Sequence, residues 1–167
     1  MPTMTYEPIE TQTLDSAAAT VTFSSISGAY TDLVLVCSGK SNTANLDYTR
    51  IRVNSDTGSN YSRTYLGGNG SSAYSGRDTS ATSYLDGIAP TTASGIYAPT
   101  IFNLQNYSNT TTYKTILSKG GSANASTGAV VGLWRNTAAI TSIDISNINS
   151  NSFASGSTFT LYGIKAA

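Results

Sequence analysis

The string Asp56-Thr57-Gly58-Ser59 matches the active-site sequence of aspartic proteases. Those enzymes use two such aspartates that share a proton, one from each of two lobes or chains. Here the string occurs once, follows Asn54-Ser55 rather than an apolar strand, and falls where a polar hairpin turn is expected, so it reads as a turn. Asp47, Asp56, Asp78, Asp86 and Asp144 could supply a glycosidase pair, which needs two carboxyls about 5–10 Å apart, but their spacing selects no pair. Histidine is absent. That removes Ser-His-Asp and Cys-His arrangements, the commonest metal ligand and the usual general base. Cys37 is the single cysteine, so neither an intrachain disulfide nor a zinc cluster can form. Gly67-Gly68-Asn69-Gly70-Ser71-Ser72 is glycine-rich but lacks the lysine and helix of a phosphate-binding loop. Loop Asp and Asn could offer oxygens to calcium, yet without the regular acidic spacing of a dedicated loop. The Asn-x-Ser/Thr triplets at Asn60, Asn69, Asn106, Asn109 and Asn124 read as chance matches in a Ser/Thr-rich chain. No enzyme, cofactor or metal is expected.

Binding residues are easier to nominate. Tyr61, Tyr65, Tyr74, Tyr84 and Tyr97 gather around one long Gly/Ser/Ala/Thr stretch from Gly67 to Gly95. A phenol ring with a polar tip suits interfaces and sugar platforms; half-buried strand tyrosines are the plainer alternative. A second set, Tyr6, Ile9 and Leu14, lies in residues 1–16 with Pro2 and Pro8. Proline removes a ladder donor and biases its neighbour to extended conformations. This segment reads as an extended N-terminal arm, either loose or lying across a neighbouring subunit, ahead of a single domain over residues 17–167.

The elements that must position these residues read as strands. Thr20-Val21-Thr22-Phe23, Ile51 and Val53, Ile143 and Ile145, and Thr158 to Ile164 alternate with period two. The last strand is expected to tie the C-terminal end into the middle of a sheet. Leu33 to Cys37 is a continuous apolar run that suits a central strand covered on both faces; Cys37 is an inert core residue in this reading. The turn from Asp56 to Asn60 predicts a hairpin joining Val53 to Tyr61. Further strands are expected at Thr100–Leu104, Tyr113–Leu117 and Ala129–Trp134, with a polar loop over Gly120–Gly128. No segment shows a helical period. Eight or nine strands divided by Gly/Asn/Ser turns predict an all-β fold, an antiparallel β-sandwich of jelly-roll type.

The 167 residues suffice for one domain with a core of its own. Lys and Arg number 9, Asp and Glu 9, giving zero net charge and an 11% charged fraction. Scattered basic residues argue against nucleic acid, and no apolar run approaches the roughly 20 residues of a membrane helix. The start lacks the basic and apolar regions of a signal peptide, so the protein is expected in the cytoplasm where it is made, in soluble form. A nearly neutral surface favours association, unless it is simply a Ser/Thr-rich sheet exterior without a partner.

Three segments together carry a resemblance: TVTFSSISGAYTDL from Thr20 to Leu33, LWRNTAAITSI from Leu133 to Ile143, and SGSTFTLYGI from Ser155 to Ile164. They resemble a family of tailed-bacteriophage virion proteins found in phages of cyanobacteria and other aquatic bacteria, over most of Thr20 to Ile164. The resemblance implies a β-sandwich of capsid decoration (cement) proteins or of tail fibres, and no binding residues carry over from it. The lack of shaft or coiled-coil repeats favours the cement protein: a homotrimer at three-fold positions on the major capsid protein, located in the virion after assembly in the host cytoplasm. The alternative is a receptor- or glycan-binding module at the tail or baseplate, using the stretch from Tyr61 to Tyr97 on a host-surface glycan.

Overall fold

The computed structural model describes residues 5–44, 47–82, 85–91 and 95–165, with the backbone alone at 80–82 and 86–91. Twelve strands and no helix are present among them. In chain order they are β1 (Tyr6–Thr13), β2 (Thr20–Phe23), β3 (Asp32–Gly39), β4 (Asp47–Val53), β5 (Tyr61–Gly68) and β6 (Ala73–Thr82). The remaining six are β7 (Leu85–Thr91), β8 (Ala98–Leu104), β9 (Lys114–Gly121), β10 (Thr127–Trp134), β11 (Ile143–Asn147) and β12 (Thr158–Ile164).

Two antiparallel sheets pack face to face as a β-sandwich. The larger has the order β1-β12-β3-β8-β9-β10-β5-β6 and the smaller β2-β11-β4-β7. Four of the pairs are nested in sequence: β1 with β12, β2 with β11, β3 with β8, and β4 with β7. Successive nested pairs alternate between the sheets. The hairpins β5–β6 and β9–β10 both join the larger sheet beyond β8, making it twice as wide as the smaller one.

Alternation sends one side chain in two inward. Leu33, Leu35 and Cys37 of β3, Phe159 and Leu161 of β12, and Phe102 and Leu104 of β8 face Val21, Phe23, Ile51, Val53, Ile143 and Ile145 of the smaller sheet. Burying each such side chain contributes about 1.5–3 kcal/mol. The broad half of the larger sheet is covered from inside by β7. Leu85 lies over Gly132, where a Cβ would come within 2.6 Å of it; glycine is what lets β7 approach.

Three expectations change. First, the segment read as a free arm is β1, hydrogen-bonded along β12 from Tyr6 to Thr13. Pro8 is tolerated because β1 is an edge strand, and a register shift between Pro8 and Glu10 accommodates the extra residue. Ile9 and Leu14 pack on the core. Second, β4 and β5 are not a hairpin, since they belong to different sheets. The turn residues behave as turn residues: Asn54 and Ser55 have φ of 52° and 50°, and the Asp56 amide bonds the Val53 carbonyl at 3.0 Å. The chain then continues across the sandwich instead of folding back. Third, the stretch expected as a loop from Gly67 to Gly95 contains β6 and β7. Two of its glycines, Gly67 and Gly76, are covered by aromatic rings. A Cβ at Gly67 would lie 2.6 Å from the Tyr74 ring, and Tyr65 covers Gly76 opposite it in the same way. A ring laid across an opposite glycine restores the side-chain packing that glycine lacks. β12 takes the second position from the edge of the larger sheet, with β1 outside it.

Candidate functional site

The protease-like string is a structural knot. Asp56 Oδ2 accepts the Trp134 indole N–H at 2.7 Å and the Asn60 side-chain amide at 2.8 Å, while Oδ1 accepts the Gly58 amide at 2.8 Å. Burial by itself would raise the Asp56 carboxyl, but these three donors outweigh it and hold the carboxyl below its ordinary value. Tyr61 completes the knot. Its hydroxyl accepts the Val53 amide at 3.2 Å and donates to the Asp56 carbonyl at 3.3 Å. Burial pushes that phenol up to about 12, against the opposing hydrogen bond from Val53.

The other aspartates are engaged separately. Asp47 is buried and accepts the Tyr48 and Asn149 amides and the Asn151 side chain at 2.8–2.9 Å. Asp78 pairs with Arg63 at 2.6 Å. Asp144 accepts the Thr22 and Ser55 hydroxyls at 2.8 and 2.9 Å. The side chain of Asp86 lies outside the described residues. Lys114 is also buried, its Nζ donating to the Thr112 and Thr137 carbonyls at 2.7 and 3.0 Å, and burial lowers its pKa.

The nominated binding residues do not converge. Tyr61 is wholly buried and belongs to the core, because the period of two turns it inward with Trp134 opposite. Tyr65 and Tyr74 lie across their glycines, and Arg63 stands 5.2 Å from the centre of the Tyr65 ring. Tyr84 lies outside the described residues. Tyr97 is at the surface, donating to the Ser155 carbonyl at 3.0 Å with Lys40 at 5.2 Å from its ring centre. Tyr6 is exposed and meets Tyr162 edge-on, whereas Ile9 and Leu14 are partly buried against the core.

Two surface features lie elsewhere, both on the broad half of the larger sheet. One is its outer face. Leu66 is 63% exposed, Val131 51% and Leu117 36%. Leu117 and Val131 are directly opposite in the β9–β10 register, and Leu66 stands opposite Ala129. With Asn103, Lys119 and Ala129 they border an apolar hollow of about 470 Å³. The other is a cleft of about 740 Å³ between the β5–β6 turn (Gly68, Asn69, Gly70) and the β9–β10 turn. Lys119 is the charged residue in its lining, Pro99 and Ile101 form its apolar side, and the buried Ser126 hydroxyl within it has no hydrogen-bond partner.

Neither feature is signalled by the tyrosine pattern. The run Ala129 to Trp134 reads as wholly buried, yet Val130, Gly132 and Trp134 face inward and Val131 outward. A glycine inside a strand signals a close approach by another chain segment, and the structure shows that segment to be β7 with Leu85 over Gly132, which leaves Val131 on the open side. No protein-family model matches the chain, and no curated protein matches its sequence.

Proposed function

We propose that this chain is a non-enzymatic structural protein of a tailed-phage virion, a decoration protein that stabilises the head shell by binding the major capsid protein. The observation that carries this reading is the nested strand pairing. An antiparallel ribbon that pairs first strand with last, second with next-to-last, and so on, rolls into a jelly roll when successive pairs alternate between sheets. The order β1-β12-β3-β8 against β2-β11-β4-β7 fits that winding, with β5–β6 and β9–β10 as additions. Jelly rolls recur in viral capsid and lectin domains. Zero net charge and an 11% charged fraction support close packing against other subunits.

Immunogold labelling of purified particles tests it. Label spread over heads is the expected result; particles that carry no label would overturn the virion reading. Label confined to the tail tip would favour a second reading, a glycan-binding module. The observation behind that second reading is the cleft beside Lys119, whose small polar lining and single cation suit a hydroxyl-rich, acidic sugar. Retention on host polysaccharide, lost in Lys119→Ala, is its expected outcome.

A further inference from the structure

We propose that the outer face of β9, β10 and β5 is a contact between two copies of this chain related by a two-fold axis. Leu66 stands out from the sheet beside the hollow floored by Leu117, Ala129 and Val131. A two-fold contact requires one patch to complement itself, and a protruding side chain next to an apolar hollow on the same face does so. A monomer has no need to expose three adjacent aliphatic side chains on a strand face, where Ser and Thr serve elsewhere on this sheet.

Charge and area agree with a copy as the occupant. On this half of the sheet, the described outer-face strand residues that carry charge are Lys119 and Arg77; Arg135, just past the end of β10 on the same face, has its guanidinium drawn aside onto the Ser59 and Tyr61 carbonyls. With the axis along β10, β9 of one copy lies over β5 of the other. Lys119 then meets Leu66 of the second copy, its methylene stem covering the leucine and its ammonium reaching solvent. Arg77, two strands from the axis on β6, meets the β8 side of the copy and no second cation. The five strands from β8 to β6 overlap in this arrangement. At about 4.8 Å between strands and about 3.3 Å per residue, each face is roughly 24 by 26 Å. Two such faces remove about 1,250 Å² from water, above the ~1,000 Å² a specific contact needs and below the usual size of a permanent one. The contact is therefore a reversible dimer. A three-fold ring cannot be built from it, so it is at odds with the trimer that the resemblance implies. It stands whether or not the protein belongs to a virion.

Sedimentation equilibrium across the micromolar range decides the matter. The wild type is expected to approach twice the monomer mass, and Leu66→Glu/Val131→Glu to remain monomeric with unchanged circular dichroism, since both side chains are already in solvent. Val131→Cys provides a positive readout: a short bismaleimide should link two copies through this position, with the buried Cys37 unreactive. A wild-type monomer at the highest concentration, a trimer, or a dimer that survives the double substitution would each overturn the proposal.

Discussion

Asp56→Ala removes the acceptor of three hydrogen bonds, one of them from the indole N–H of the buried Trp134. Leaving one buried donor unpaired costs about 1–3 kcal/mol, and the lost bonds from Gly58 and Asn60, in a turn open to solvent, add about 1 kcal/mol. The expected destabilisation is therefore about 2–4 kcal/mol, a large part of the stability of a domain this size. Asp56→Asn keeps one acceptor without its charge and should cost about half as much. Trp134 is the sole tryptophan, so its fluorescence during urea unfolding reports on the bond itself; circular dichroism replaces it for Trp134→Phe. In the cycle built from Asp56→Ala and Trp134→Phe, the coupling should reach at least about 1 kcal/mol. The pH dependence has a definite sign. The carboxyl is held low in the fold and returns to its ordinary value on unfolding, so its stabilisation is complete above the ordinary range and is lost as pH falls through the folded pKa. The wild type should thus lose more stability below about pH 4 than Asp56→Asn does. A loss under about 0.5 kcal/mol for Asp56→Ala, within the range of an ordinary surface substitution, would refute the reasoning. Zero coupling to Trp134 would do the same.

Gly132→Val should destabilise by about 1–3 kcal/mol through overpacking against Leu85. Combined with Leu85→Ala it should cost less than the two singles together in thermal unfolding, because each change fills or vacates the same space. Cys37, whose thiol burial pushes far up, should resist alkylation in the native protein and react at the rate at which the chain opens, read by mass spectrometry over time. Labelling of the folded protein as fast as a free thiol would disprove its burial. Removing residues 1–14 should lower the urea midpoint by an amount equivalent to about 2–4 kcal/mol, since Ile9 and Leu14 leave the core. An unchanged midpoint would mean that β1 is a detachable arm after all.

Period-two alternation made most of the sandwich legible, because Thr20–Phe23, Ile143–Asn147 and Thr158–Ile164 each bury one face and solvate the other. It could not say which sheet a strand joins. Asn54 and Ser55 adopt the left-handed conformations that a tight turn needs, yet the path of the chain beyond them is set by Tyr61 reaching across the sandwich to the Val53 backbone, a contact with no local sequence signature. Composition misled at β5 and β6, where glycines that suggest a loop are paired with tyrosines on the opposite strand, Gly76 of β6 with Tyr65 of β5 and Gly67 of β5 with Tyr74 of β6. The protease-like string was read as a turn from its single occurrence, and its partner Trp134, 78 positions away, is visible only in three dimensions. The exposure of Leu66 and Val131 is hidden for a related reason. Their residue types suit a core strand, and only the placement of β7 on the opposite face of the sheet tells which side is covered.

The positions of β11 and β12 bear on how the chain comes to be folded during synthesis. β12 separates β1 from β3, and β11 separates β2 from β4. Both are made after the other ten strands, so neither sheet can close while the ribosome is still producing the middle of the sandwich. Topologies dominated by such distant pairings fold in milliseconds to seconds, and until then the facing edges of β3 and β4 have unpaired amides and carbonyls open to other chains. A fragment ending at Trp134 would hold both sheets with a slot one strand wide in each, a template that any extended segment of suitable alternation could enter.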